Sequence, residues 1–95
     1  VVAVDPATGR VAYLSKNTSP SGGLWGGPSP ITVRFYEPQG EGLASVGAGE
    51  LASNLLQAWP RDIAPDGQGG FVGVWYYADA QSMHQVYAVA RFELE

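Results

Sequence analysis

Residues 71–77 read FVGVWYY, and residues 86–94 read VYAVARFEL. The first run carries apolar side chains on both faces of a predicted strand. The second run alternates between two sets of side chains: Val86, Ala88, Ala90 and Phe92 on one face, and Tyr87, Val89, Arg91 and Glu93 on the other. The eight residues between the runs, ADAQSMHQ, are polar. The two runs therefore predict a long antiparallel hairpin.

Two upstream stretches carry further strand signals. Residues 1–15 predict a hairpin, because VVAV and RVAYL flank the turn sequence DPATG, in which Pro6 presets φ and Gly9 can adopt a positive φ. Residues 31–37, ITVRFYE, alternate between apolar and polar positions. Together these strands predict a mainly β fold, either one curled antiparallel sheet of five or six strands or a small barrel.

Residues 50–59, ELASNLLQAW, change the period of the pattern. Leu51, Leu55 and Trp59 stand at i, i+4 and i+8, which predicts a short helix over 50–59 that Pro60 ends. This helix would lie across an open face or end of the sheet. A strand is the competing interpretation, because the segment is barely three turns long.

Length and composition set limits on the class of protein. The 95 residues suit a single domain over 1–95, and Leu94-Glu95, which resembles a cloning junction, carries no weight in this prediction. The net charge of −4 argues against a nucleic-acid partner. No apolar run approaches the ~20 residues of a membrane span, and no signal peptide is recognised. We therefore expect a soluble protein without a membrane partner, either cytoplasmic or exported from a bacterium.

The two halves of the chain resemble each other. DPATGRVAYLS at 5–15 parallels DGQGGFVGVWY at 66–76, and VRFYE at 33–37 parallels ARFE at 90–93. This pattern predicts an internal duplication of 1–37 and 61–93. Two hairpins that share generic turn chemistry are the alternative explanation.

Residues 59–93 resemble the blade repeats of bacterial β-propellers. Those repeats place a proline-led strand, an Asp-Gly turn, a Gly-Phe-Val-x-x-Trp strand and a Tyr-Ala-x-x-Arg-Phe strand in this order, and residues 1–37 match more loosely. The resemblance implies two propeller-type blades, whereas a closed propeller needs about four to eight. It thus implies either part of a larger propeller or a ring of several copies, and it implies no activity.

The sequence predicts no catalytic residue, metal site or cofactor. There is no cysteine and a single histidine, His84, so neither a thiolate site nor a histidine-based metal site can form. Asp62 and Asp66 have the spacing of a calcium loop, but Ala64 and Gly73 stand where two further ligands would be needed. A β-turn closed by an aspartate accounts better for this stretch.

The chain has more aromatic residues than one small core needs, so we expect some of them to contact another molecule. The candidate ligand-binding residues are Trp25, Trp75, Tyr77, Tyr36 and Tyr87. That molecule would be a second copy of the chain, another protein, a small molecule or a carbohydrate.

Three functional hypotheses follow from these residues. The first is a non-catalytic ligand- or protein-binding β module, with self-assembly into an oligomer as one form of it. The second is a small-molecule-binding protein or minor enzyme, with an aromatic-lined pocket that includes Asp79 or His84. The third is a structural part of a larger β-propeller.

Overall fold

The computed structural model describes residues 1–16, 30–52, 56–79, 81–82 and 84–94. These residues form seven strands: β1 (Val2–Val4), β2 (Val11–Lys16), β3 (Ile31–Gln39), β4 (Gly42–Ala52), β5 (Leu56–Pro65), β6 (Phe71–Ala78) and β7 (Gln85–Phe92). The strands make two antiparallel sheets, one in the order β1-β2-β3-β4 and the other in the order β5-β6-β7. The mainly β class is confirmed. The prediction of one five- or six-stranded sheet or a small barrel is wrong, because the chain forms two open sheets.

Both predicted hairpins are confirmed. In the first, the Oδ1 atom of Asp5 accepts a hydrogen bond from the Ala7 N–H at 2.9 Å, and Gly9 has a φ of 75°. In the second, β6 and β7 pair in an unbroken register from Phe71 opposite Phe92 to Ala78 opposite Gln85. Turn chemistry and alternation thus determine these two local structures.

The helix predicted over 50–59 is wrong. Residues 50–52 complete β4, residues 56–59 begin β5, and residues 53–55 lie outside the described residues. The turn at Gly40, whose φ is 60°, sends the chain back along β3, and pairing continues until Ala52 stands opposite Ile31. Because the backbone groups of β3 need partners on both sides, this long ladder outweighs the helical spacing of three side chains.

The two sheets bury one face each against the other. The buried side chains of the first sheet are Ala12, Leu14, Ile31, Val33 and Phe35, and those of the second are Ala58, Ile63, Phe71, Trp75 and Phe92. Three phenylalanine rings join the sheets. The ring centroid of Phe35 lies 6.1 Å from that of Phe71 and also 6.1 Å from that of Phe92. The ring centroids of Phe71 and Phe92 are 6.3 Å apart. We call these buried faces the inner faces.

Equivalent positions of the two similar halves meet in this core. Phe35 and Phe92 occupy the same place in VRFYE and ARFE, and their rings are in contact. Leu14 and Trp75 are likewise equivalent, and both are buried.

Gly73 of β6 lies on the inner face of the second sheet, next to Phe92 of the same sheet and Leu14 of the first sheet. A Cβ atom at this position would stand 2.9 Å from Cε1 of Phe92 and 3.2 Å from Cδ2 of Leu14. We expect Gly73→Ala to lower the free energy of unfolding by about 1–3 kcal/mol, because it overpacks the core. Urea denaturation followed by circular dichroism would measure this change.

The matched control is Gly49→Ala in β4, where a Cβ would meet no atom within 4 Å. Alanine loses less backbone entropy than glycine on folding, so this variant should be as stable as the parent or more stable, by up to about 1 kcal/mol. Equal destabilisation by both variants would contradict the packing described for Gly73.

Candidate functional site

Three aromatic side chains cross the second sheet on its outer face. Trp59 of β5 is the register partner of Tyr76 in β6, which is in turn the register partner of Tyr87 in β7. Paired residues of antiparallel strands project from the same face of the sheet. The tyrosine rings lie 5.9 Å apart, and Trp59 and Tyr87 are 51% and 59% exposed. We call these three residues the aromatic row.

Aliphatic side chains continue this surface along the strands. Val74 pairs with Val89, next to the aromatic row and on the same face, and Val89 is 67% exposed. In most antiparallel sheets with one buried face, the other face is polar. A contiguous exposed apolar surface on a small protein usually marks a binding site.

A lysine from the first sheet borders one end of the row. The Nζ atom of Lys16, the last residue of β2, lies 4.2 Å from the centroid of the Trp59 ring. This is a cation–π contact, and it holds the indole in one orientation although the residue is half exposed.

An ion-pair network borders the other end of the outer face. Arg91, opposite Val72 in the register, pairs with the Asp66 carboxylate and lies 3.2 Å from the Glu93 carboxylate. The Oδ1 atom of Asp66 also accepts backbone hydrogen bonds from Gln68 at 2.7 Å and from the N–H of residue 70 at 3.0 Å. The pKa of Asp66 is lowered, most by the hydrogen bond from Gln68 and further by the hydrogen bond from residue 70 and by the Arg91 guanidinium.

The predicted site residues do not form one site. Trp75 is buried on the inner face of the second sheet, and Tyr77, two residues further along the same face, packs against the core. Tyr36 is half-buried and pairs with Val11 of the first sheet, whereas Tyr87 belongs to the aromatic row. Trp25 lies outside the described residues.

Sequence reasoning missed Trp59 and Tyr76 as site residues. Trp59 was assigned to the predicted helix, so its pairing with β6 could not be inferred. Tyr76 faces away from Trp75 and Tyr77 in any regular strand, and this alternation was the available signal.

The polar groups considered for chemistry are held in a loop. The Asp79 carboxylate accepts hydrogen bonds from the Ser82 hydroxyl at 2.7 Å and from its N–H at 3.3 Å, and the His84 N–H donates to the same hydroxyl at 3.2 Å. The His84 side chain is exposed. These contacts fix the turn between β6 and β7.

Trp75 carries a buried polar atom that is not part of this hydrogen-bonded loop. Among the described residues, the Nε1–H of Trp75 has no hydrogen-bond acceptor, although the residue is only 5% exposed. Also within the described ranges, no three histidine or acidic side chains lie close enough to hold a metal ion.

Comparison with known protein families, curated proteins and solved structures finds no match to this chain. None of the described segments forms a helix with the length and apolarity that crossing a membrane requires. The physical properties of the surface therefore carry the functional argument.

We expect Asp66→Asn to make the free energy of unfolding less dependent on pH in the acidic range. The folded-state pKa of Asp66 is lowered, so its contribution to the free energy of unfolding is present above the unfolded pKa of about 4 and is lost as the pH falls through the folded value. The amide keeps an acceptor for the two backbone N–H groups but loses the ion pair with Arg91.

Urea unfolding between neutral and strongly acidic pH measures this effect. The variant should be less stable than the parent at pH 7, and the difference should shrink on acidification. Glu41→Gln, in the exposed turn between β3 and β4, is the charge-matched control and should change the stability at pH 7 little. A parent–variant difference that grows at low pH would contradict the role of Asp66.

Proposed function

We propose that the chain is a non-catalytic binding module whose aromatic row binds a neutral carbohydrate chain. The observation that carries the proposal is the cross-strand register of Trp59, Tyr76 and Tyr87, which places three aromatic side chains side by side on an outer sheet face. Trp59 contacts Lys16 of the first sheet, yet Trp59 and Tyr87 both remain more than half exposed. Their exposure at this place is better explained by a ligand than by folding.

The shape and size of the surface narrow the class of ligand. Pockets for small molecules are concave and enclose most of the ligand, whereas this surface is one face of a sheet. Three strands of about eight residues cover about 14 Å by 27 Å, or about 400 Å². A standard protein–protein interface buries about 800 Å² on each partner, so this face alone is small for a protein partner.

Charge narrows the class further. Single-stranded nucleic acid also stacks on aromatic side chains, but it needs a positively charged groove along the backbone. This chain has a net charge of −4, and Arg91 on the same face is neutralised by Asp66 and Glu93. A neutral polymer fits better than a polyanion.

A carbohydrate chain has the chemistry that the aromatic row can recognise. Sugar rings present an apolar face of C–H groups, which buries well against an aromatic ring. Sugar hydroxyls can exchange hydrogen bonds with the phenolic groups of Tyr76 and Tyr87 and accept one from the Trp59 indole N–H. An extended chain can follow the row across the strands.

Trp75 supports a second candidate function, binding of a small molecule between the sheets. The Trp75 indole N–H has no acceptor among the described residues and the residue is 5% exposed; a buried donor left without a partner costs about 1–3 kcal/mol, which an acceptor atom of a ligand would recover. If Asp79 or His84 is the polar group of such a site, Asp79→Ala or His84→Ala should lose affinity for the small molecule, and unchanged affinity of both variants would exclude a role for these two residues.

The propeller interpretation remains a third proposal. The meander of β1 to β4 has the strand number and order of a propeller blade. However, the rotational symmetry of a propeller packs one face of each blade against the opposite face of the next. The contact between the equivalent residues Phe35 and Phe92 favours the binding module over this arrangement.

We expect Trp59→Ala and Tyr87→Ala each to weaken carbohydrate binding about tenfold or more, equivalent to about 1.4 kcal/mol. Native gel electrophoresis through gels that contain soluble cellulose derivatives, xylan, mixed-linkage glucan or starch measures this binding as retardation. Both residues are more than half exposed, so the variants should unfold at nearly the parent's urea concentration.

The matched control is Tyr13→Ala, because Tyr13 is 43% exposed on the other sheet. It should retain the parent's retardation. Absence of retardation of the parent by any of these neutral polysaccharides would refute the proposal, as would an equal loss in the Tyr13 variant.

A further inference from the structure

Each sheet has two edge strands, and three of the four edges carry features that hinder pairing with another chain. β1 is only three residues long. β4 is rich in glycine and pairs with β3 through two register shifts. β5 contains Pro60 and Pro65 and also has two register shifts. Short strands, bulges and prolines are the usual protections of sheet edges.

The fourth edge, β7, has none of these features. It is eight residues long, contains neither proline nor glycine, and pairs with β6 without a register shift. Its charged residue, Arg91, already forms ion pairs with Asp66 and Glu93. Within the described part of the chain, β7 has a strand neighbour on one side only. No described strand pairs with its other side, whose backbone groups can therefore accept a further strand.

We propose that β7 pairs antiparallel with β7 of a second copy of this chain, with Val89 opposite Val89 of that copy. The result is a two-fold symmetric dimer that joins two three-stranded sheets into one continuous sheet of six strands. This interaction uses the edge of the sheet, whereas the proposed carbohydrate site lies on its outer face.

The sequence of β7 is complementary to itself in this register. Val89, which is 67% exposed, meets its own copy, and Arg91 stands opposite Tyr87 of the second copy, where a guanidinium can stack on the phenol ring. Gln85 stands opposite Glu93, so no like charges meet. Antiparallel pairing keeps side chains of the same face together, and two-fold dimers have the commonest oligomer symmetry.

The dimer would also double the proposed binding surface. The two-fold axis runs perpendicular to the sheet at Val89, so the outer faces of both copies lie on the same side. The aromatic rows, each with Tyr87 next to the junction, then belong to one surface. A polymeric ligand that reaches both rows would bind more tightly through effective concentration, without any new type of contact.

Light scattering coupled to size exclusion, over a series of protein concentrations and without carbohydrate, tests the proposal. Edge pairing buries less area than a standard interface, so we expect a dimer that dissociates on dilution. Val89→Lys places two ammonium groups opposite each other and should abolish the dimer. Val4→Lys, on the protected edge β1 and 54% exposed, is the matched control and should keep it.

Disulfide trapping tests the register without relying on the lysine variant. The chain has no cysteine, so Val89→Cys introduces a single thiol. Directly opposite residues have Cβ atoms about 4.5–5.5 Å apart, close enough for a disulfide after a small adjustment. Under mild oxidation this variant should form a covalent dimer much faster than Val4→Cys. A monomeric parent at every concentration, a dimer that survives Val89→Lys, or equal cross-linking of the two cysteine variants would overturn the proposal.

Discussion

The contact among Phe35, Phe71 and Phe92 joins the two sheets, and the other features depend on it. Each sheet is a small open meander, and such sheets are stable only when one face is covered. The three rings meet at centroid distances near 6 Å, where tilted and offset aromatic pairs are favourable. Gly73 leaves room for the side chains of this core, because a Cβ atom there would stand 2.9 Å from Cε1 of Phe92 and 3.2 Å from Cδ2 of Leu14. The core thus decides which face of each strand is turned inward.

Once the inner face is set, the period of two in a strand sets the outer face. In β6, Phe71, Trp75 and the glycine between them point into the core, so Tyr76 must point away from it. A polar residue would satisfy the fold equally well on that outer face. The sheet instead carries aromatic residues at three consecutive paired positions across its strands. Cross-strand aromatic pairs stabilise a sheet, and the carbohydrate binding proposed above would use the ring surface that Trp59 and Tyr87 leave exposed.

Local sequence signals were sufficient for the hairpins, and long-range pairing decided the rest. The turn sequence in 1–15, the apolar run of 71–77 and the alternation in 86–94 predicted their strands, and the last of these also placed Tyr87 opposite the inward-facing set. β4 could not be predicted in this way, because GLASVGAGELA has neither alternation nor a strong β propensity. The pairing of β4 with β3 is what holds these residues in a strand. The helical spacing at 50–59 gave a wrong prediction for the same reason, because pairing with β3 and β6 decides the structure of these residues. The position of Trp59 in the sheet could therefore not be predicted.

The position of Trp59 depends on a bulge that no local pattern reveals. In a regular strand Trp59 and Ile63, four residues apart, would project from the same face. Ile63 is 7% exposed in the core, yet Trp59 is 51% exposed on the outer face. The difference arises between Pro60 and Asp62, where the register with β6 shifts and Arg61 has no opposite residue. One extra residue reverses the phase of the strand, which is how bulges redirect side chains at sheet edges. The same irregularity that interrupts the β5 edge therefore completes the aromatic row, while the regular β7 at the opposite edge has one strand neighbour among the described residues.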